Sequence, residues 1–428
     1  MFKKILQKLI EGKTARYLKK HKPVLVVVTG SVGKTSTKYA IATVLSEKYR
    51  VRAHLGNHNA ALSAPLAIIG VEYPENIRSL SAWREVLKAM DMRIKGEKDV
   101  DVIVQELGTD APGDIAAFGR YLRPDIAVVT AVSEEHMEFF GTLDAVAKEE
   151  LAIAKYAKRT IINRDDIDVK YAEFAEPQEI DTYGMGEKAE YRLDVSDASP
   201  LEGRIGKLYC PEWEEVPLNM QLVGDHSLKS AVAAACVGAK LGLTSEQVAV
   251  GVSKIKAAPG RMQVLRGVEK TTLIDDTYNA SPLAVEAALK TLYAIDAPMR
   301  IAILGSMNEL GETSADAHKK VGMFCDPKKL DWVITIGKDA EQYLAPAAAD
   351  KGCQVRAFLD PYSAGSFAHS VLQKGAVVLA KGSQNGVFAE EAIKILLHST
   401  DDEERLVRQS DAWLKTKEQQ FAHAVPED

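Results

Sequence analysis

"VLVVVTGSVGKTS", residues 24–36, sets five apolar, mostly β-branched residues directly before two glycines and a Lys-Thr pair. β-branched side chains favour the extended backbone, and an apolar run without polar alternation reads as a strand covered on both faces, as in a parallel sheet. Gly30 and Gly33 let backbone amides approach an anion, and the helix that follows offers its positive N-terminus. Lys34 adds a point charge, and the Thr35 hydroxyl suits Mg²⁺. Val28 stands where the strict phosphate-loop signature has its first glycine, so the loop is the shorter G-x-x-G-K-T-S. Strand, glycines, Lys-Thr and helix in that order point to a bound phosphate rather than to a bare strand-to-helix turn.

Outward from this loop, apolar runs alternate with helical stretches up to about residue 165: "YRVRAH", "VDVIVQELG", "PDIAVVTAV", "TLDAVAKEELAIAKYAK" and "TIINRDD". This is the pattern of an α/β unit with a mostly parallel sheet. From about 170 to 222 the segments shorten, and small antiparallel strands are expected before the Ala-rich helix "HSLKSAVAAACVGAKLGL" and another helix beginning near Ser245. "KAAPGRMQ", residues 256–263, reads as a linker, because Pro and Gly separate two periodic segments. A second alternation follows, with "TTLIDDTYNASP", "RIAILGS", "DWVITIG", "QVRAFLD" and "AVVLAKGS", and predicts a Rossmann-like α/β unit. The expected organisation is an N-terminal basic helix over 1–22, a central phosphate-loop unit over 23–258 and a C-terminal unit over 259–428.

Composition narrows the partners. A chain of 428 residues, 46% hydrophobic and with a net charge of −6, is built to bury more than one core and not to neutralise a nucleic-acid backbone. Four cysteines without C-x-x-C spacing indicate neither a zinc ribbon nor a disulfide framework, which fits a reducing cytoplasm. "MFKKILQKLIEGKTARYLKKHK" places Phe2, Ile5, Leu6, Leu9 and Ile10 at helical spacing among lysines, and has no apolar stretch long enough for a signal peptide. It is expected to pack on its own domain, with membrane association disfavoured.

Two residues extend the phosphate site. Glu106 ends the apolar run "VDVIVQE" and His136 follows "PDIAVVTAV", so both fall where α/β sheets bind ligands, outside the carboxyl ends of their strands. With Thr35 they would form a site for one or two divalent cations that neutralise a triphosphate.

The segments "TGSVGKTS", "GNHNAALSAPLAIIG", "ELGTDAPGDIAAF", "HMEFFGTLDAVAKEE", "PGRMQ", "IDDTYNASPLAVEAAL", "GSMNELGETSADAHKKVG" and "KGS" together resemble the Mur ligase family, nearest to its branch that adds D-alanyl-D-alanine. The likeness runs from about residue 24 to 397. It implies a central ATPase unit and a C-terminal unit that closes over the nucleotide. The implied reaction uses ATP to phosphorylate a substrate carboxylate, after which an amine displaces phosphate and an amide forms. Such chemistry needs charge neutralisation and alignment, not a protein nucleophile. Carried over, Gly30, Ser31, Val32, Gly33, Lys34, Thr35 and Ser36 cradle the ATP phosphates and a first Mg²⁺, with Glu106 on the same ion and His136 on a second. Arg261, Asp276 and Asn279 would contact ATP from the C-terminal side, and Asn57 and Asn59 would stand beside the acceptor. Expected partners are a small peptide precursor and an amino-acid or dipeptide amine. A ligase for another amino-acid polymer, polyglutamate or cyanophycin-like, and a phosphate-loop switch without amide product are the alternatives.

Three features depart from that family pattern. Where relatives carry a carbamylated lysine, this chain has Glu150, which is expected to supply the anionic oxygens directly as a catalytic group; a solvated glutamate beside Glu149 is the plainer alternative. Ser227 and Ser230 replace expected asparagines at a helix start, while His226 remains. Only 23 residues precede the first strand, which leaves no room for the family's separate domain that grips a uridine nucleotide and implies either another grip or a helper protein.

Overall fold

The computed structural model describes residues 2–175, 179–196, 201 and 203–422; Met1 and the last six positions of the expected 259–428 unit lie outside them. Among the described residues, nine strands form the first sheet. They are β1 (Val24–Thr29), β2 (Val51–Arg52), β3 (Val102–Glu106), β4 (Ile126–Val129), β5 (Arg159–Asn163), β6 (Glu179–Gly184), β7 (Tyr191–Val195), β8 (Arg204–Cys210) and β9 (Glu214–Met220). Their order is β2-β3-β1-β4-β5-β6-β7-β8-β9. β1 lies between β3 and β4 and is parallel to both.

Alternation along β1 shows why the opening run is apolar throughout. Leu25 and Val27 face one core, shared with Leu6, Ile10 and Tyr17 of the N-terminal helix Phe2–His21. Val26 and Val28 face the other, shared with Ile41 and Val44 of the helix Lys34–Leu45 and with the Ala-rich helix Asp225–Lys240. Each such side chain contributes about 1.5–3 kcal/mol on burial, so a charge at Val26 would remove one face of the strand's support. The N-terminal helix packs on the first unit, as its spacing predicts, while Ile5 and Leu9 stay exposed.

The segment 170–222 differs from expectation. β6 and β7 join the sheet in parallel, and only the β7–β8 and β8–β9 pairings are antiparallel. Short irregular segments carry too little periodicity to fix strand direction.

The second sheet comprises β10 (Gln263–Arg266), β11 (Thr272–Asp276), β12 (Arg300–Gly305), β13 (Trp332–Ile336), β14 (Val355–Phe358) and β15 (Val377–Lys381). Its order is β10-β11-β15-β12-β13-β14, antiparallel only at β10–β11. The linker bends at Gly260 (φ +66°), where a Cβ would come within 3.0 Å of the Tyr278 backbone nitrogen. Beyond Leu397, where the sequence predicts no further element, the chain adds a 3₁₀ turn over Thr400–Arg405 and a helix over Asp411–Gln420.

Candidate active site

The loop after β1 turns at two left-handed glycines, Gly30 (φ +121°) and Gly33 (φ +87°). A Cβ on Gly30 would stand 2.8 Å from the Ala131 nitrogen, so only glycine fits against the end of β4. Ser31 anchors the loop further: its N–H donates to the Ala131 carbonyl (3.0 Å), and its Oγ accepts from the Ser133 N–H (3.0 Å). Lys34 is folded over its own loop and donates to the Gly30 carbonyl (2.5 Å), with Glu135 at 3.4 Å. Burial opposes its charge, but the carboxylates of Glu135, Glu150 and Glu106 outweigh that cost and hold its pKa above the usual lysine value. Burial pushes Glu135 up, with Lys34 and His136 only partly compensating.

Thr35 and Glu106 meet as their strand positions predict. Thr35 Oγ1 donates to Glu106 Oε2 (2.9 Å), and Asn59 Nδ2 donates to the other carboxylate oxygen (3.0 Å). Lys38, which the sequence reading does not single out, is buried 3.7 Å from Glu106 and donates to the Gly56 carbonyl (2.9 Å). Burial draws its pKa down, with Glu106 opposing. From the second unit, Arg261 Nη2 reaches Thr35 Oγ1 (3.2 Å) while its guanidinium lies over the Tyr278 ring at 4.2 Å.

His136 sits in a left-handed conformation (φ 51°) at the start of a short helix over Met137–Phe140. Its Nδ1 pairs with Glu309 of the second unit (2.8 Å), while Nε2 lies 3.6 Å from Asp110 and 3.7 Å from Glu135. Burial lowers its pKa, but the Glu309 hydrogen bond and the Glu135 charge outweigh this and raise it. The hydrogen bond from His136 in turn pulls Glu309 down.

Asp276 accepts from Lys381 Nζ (2.6 Å), which also donates to the Asn279 carbonyl (3.0 Å). Lys381 ends β15 and Glu309 lies in the loop just beyond the end of β12. The strand-end rule that singles out Glu106 would have found both in "AVVLAKGS" and "RIAILGSMNELG". Neighbouring Asp275 is fully buried: its Oδ1 accepts from the Thr277 N–H (3.1 Å) and Oγ1 (2.6 Å), and Oδ2 has no partner among the described residues. Burial pushes its carboxyl up to about 6. A carboxyl raised in the fold binds its proton more tightly there than in the unfolded chain, so stability falls as pH rises from about 4 to 6. Asp275→Asn is therefore expected to stabilise the protein at pH 7.5 by about 3 kcal/mol, with the gain vanishing below about pH 4. Thermal melts of both proteins across pH 4–8 check it; a pH-independent difference contradicts it.

Glu150 is 2% exposed, so the solvated alternative does not hold. Its Oε2 accepts from the Gly30 N–H (2.7 Å) and the Thr29 hydroxyl, and its Oε1 from the Thr109 hydroxyl (2.6 Å). It thus sits beneath the phosphate loop, holding it, and does not line the cavity. Glu149, also buried, caps the short helix Asp114–Phe118 through the Gly113 (2.8 Å) and Ile115 (2.7 Å) N–H groups.

These groups open on one cavity of about 880 Å³ between the two sheets, lined by the loop from Ser31 through Ser36, by Asn57, Asn59, Glu106 and His136, and by Arg261, Asp276, Asn279, Glu309 and Lys381. His226, Ser227 and Ser230 also line it. Arg261 Nε, His226 Nδ1 and Ser281 Oγ are buried in its wall without a hydrogen-bond partner among the described residues, and such donors and acceptors are costly unless a ligand satisfies them. Hard oxygen donors from Thr35 and Glu106 fit Mg²⁺, which takes one or two carboxylates and completes its shell with phosphate and water. Among the described residues no group of three His, Cys, Asp or Glu side chains forms an all-protein metal cage.

A glycine-bent phosphate loop facing a second α/β unit across a shared cavity defines a two-unit nucleotide-binding protein. The chain belongs to the Mur ligase family: residues 28–238 match the Mur ligase middle domain, and 260–384 match the family's glutamate ligase domain. It is 29% identical over 381 residues to the UDP-N-acetylmuramoyl-tripeptide–D-alanyl-D-alanine ligase of Bacillus subtilis, covering 88% of this chain and 76% of that one. The Escherichia coli ligase of the same name is 28% identical over 347 residues, 78% of this chain and 69% of its own. The MurF ligase of Thermotoga maritima, solved in complex with ADP, superposes with a TM-score of 0.73 at 25% identity, covering 99% and 84% of the two chains. MurF from Acinetobacter baumannii, at 22% identity, shares the fold with a TM-score of 0.76 over 91% of this chain and 80% of that one.

Proposed function

We propose that the protein is an ATP- and Mg²⁺-dependent ligase that joins D-alanyl-D-alanine to the peptide of a cell-wall precursor through an acyl phosphate, acting in the cytoplasm. Among the described residues, no helix is long and apolar enough to cross a membrane. The observation that carries the reading is the junction of Thr35, Glu106 and Arg261, where the phosphate loop, a strand-end carboxylate and a cation of the second unit meet over one cavity.

In this reading the amides of residues 30–36 and the Lys34 ammonium hold the triphosphate, and Thr35 and Glu106 hold Mg²⁺, with His136 beside a second ion. Bound Mg²⁺ supplies charge neutralisation for phosphoryl transfer. Arg261, Asp276 and Asn279 hold the nucleotide from the second unit, and Asn57 and Asn59 orient the acceptor carboxylate. The carboxylate attacks the γ-phosphorus and ADP leaves; the amine then attacks the acyl carbon, phosphate departs, and the nitrogen loses a proton. Closure of the units 23–258 and 259–428 about Gly260 excludes water from the acyl phosphate, and the His136–Glu309 pair bridges the two across the cleft.

Incubation with ATP, Mg²⁺, D-alanyl-D-alanine and a muramyl tripeptide, with and without its uridine nucleotide, tests the proposal. Phosphate release that requires both carboxylate and amine, with the amide found by mass spectrometry, is expected. Release indifferent to both overturns it.

A further inference from the structure

Arg408 lies beyond the family-matched residues 260–384, in the segment after β15 that the motifs do not reach. Its side chain is only 6% exposed, and each guanidinium nitrogen donates a hydrogen bond. Nε and Nη2 grip both oxygens of Glu390 (2.8 and 2.7 Å), a fork-to-fork pair that fixes the plane of the guanidinium. From that plane Nη2 donates to the Thr277 carbonyl (2.6 Å) and Nη1 to the Tyr278 carbonyl (3.0 Å). Lys417, 1% exposed, neutralises the remaining charge by pairing with Glu390 (3.0 Å) and Glu391 (2.5 Å), and donates to the Arg408 carbonyl (2.8 Å). Two cations and two carboxylates buried together are costly to assemble, and a core of apolar residues would serve stability as well. What an apolar core would not supply is the pair of donors aimed at the 277–278 backbone.

That backbone leads directly to the phosphate site. The Tyr278 N–H donates to the Gly260 carbonyl (3.0 Å), and its ring carries the Arg261 guanidinium, which reaches Thr35 of the other unit. We infer that Arg408 is a positioning residue: it fixes the Tyr278 turn and, through the Tyr278 ring, the placement of Arg261 over the phosphate loop. The role rests on the nucleotide-binding reading above. The terminal helix Asp411–Gln420, which supplies Lys417, thereby belongs to the device that aims Arg261.

Arg408→Lys tests this, because lysine keeps a charge beside Glu390 but cannot also serve both carbonyls. Its expected effects are a rise of about tenfold in the ATP KM and in the ADP dissociation constant measured by titration calorimetry, with the folded fraction retained. In an Arg261→Ala background the same change is expected to add nothing, since its route to the phosphates is gone. Wild-type ADP affinity and ATP KM in Arg408→Lys overturn the inference, as does an undiminished effect in the Arg261→Ala background. A lowered melting temperature with unchanged constants per folded molecule also overturns it, by showing a purely structural role. Absence of ADP binding by the unsubstituted protein sinks the nucleotide reading first and this inference with it.

Discussion

Replacing Lys34 with methionine is expected to lower kcat for phosphate release about 10³-fold, the scale on which a preorganised charge at a transferring group acts. Arginine is not expected to rescue it. Lys34 is wedged among Gly30, Glu135 and the floor above Glu150, a space matched to a compact ammonium and not to a planar fork. The same substitution has a second signature in the resting protein. Glu135 already titrates above the usual glutamate range because it is buried, and Lys34 is the largest opposing influence. Without that cation its carboxyl rises further. The folded state then binds the Glu135 proton more tightly than the unfolded chain does, so the variant loses stability at neutral pH and recovers it as pH falls through that raised value. Steady-state kinetics and melts at pH 5 and 8 check both parts; activity within tenfold of wild type contradicts the first.

Glu150→Ala is expected to cost about 3–5 kcal/mol of stability and to abolish most activity together with it. The carboxylate accepts hydrogen bonds from Thr29, Gly30 and Thr109, all buried or at the floor of the loop, and alanine leaves those donors facing no acceptor. Glu150→Gln retains one carbonyl oxygen and lets a threonine hydroxyl turn to accept, so an intermediate loss is expected. Glu150→Lys places an ammonium beneath Gly30 and Lys34. That protein is expected to be inactive until bicarbonate converts the lysine to a carbamate. Chemical denaturation and bicarbonate titration separate these cases. Full activity of Glu150→Ala contradicts the role of the carboxylate altogether.

Both α/β units and the phosphate loop were legible because their signals are local. Unbroken β-branched runs, glycines at a strand end and a Lys-Thr pair each act within a few residues of one another. The strand-end rule extends this reach to Glu106 and His136, which the fold brings to one cavity with Thr35. Glu150 was legible as buried by its helical spacing from Ala147, but its partners were not, since they come from 41 to 121 residues away. Arg408 gave no signal at all. It occupies a short stretch without periodicity, and its meaning lies wholly in Glu390 and in two carbonyls 130 and 131 residues earlier. The direction of β6 and β7 is not legible in the sequence, because strand polarity is set by the connection between strands, which composition does not report.

The order β11-β15-β12 has a consequence for how the molecule is made. The nine strands described for the first sheet have all been synthesised once Met220 is added, whereas β11 and β12 have no hydrogen bonds to each other and must wait for Val377–Lys381 to slot between them. A nascent chain therefore carries two apolar strands with open edges for more than 70 residues of translation, the interval in which holdase chaperones have the most to protect.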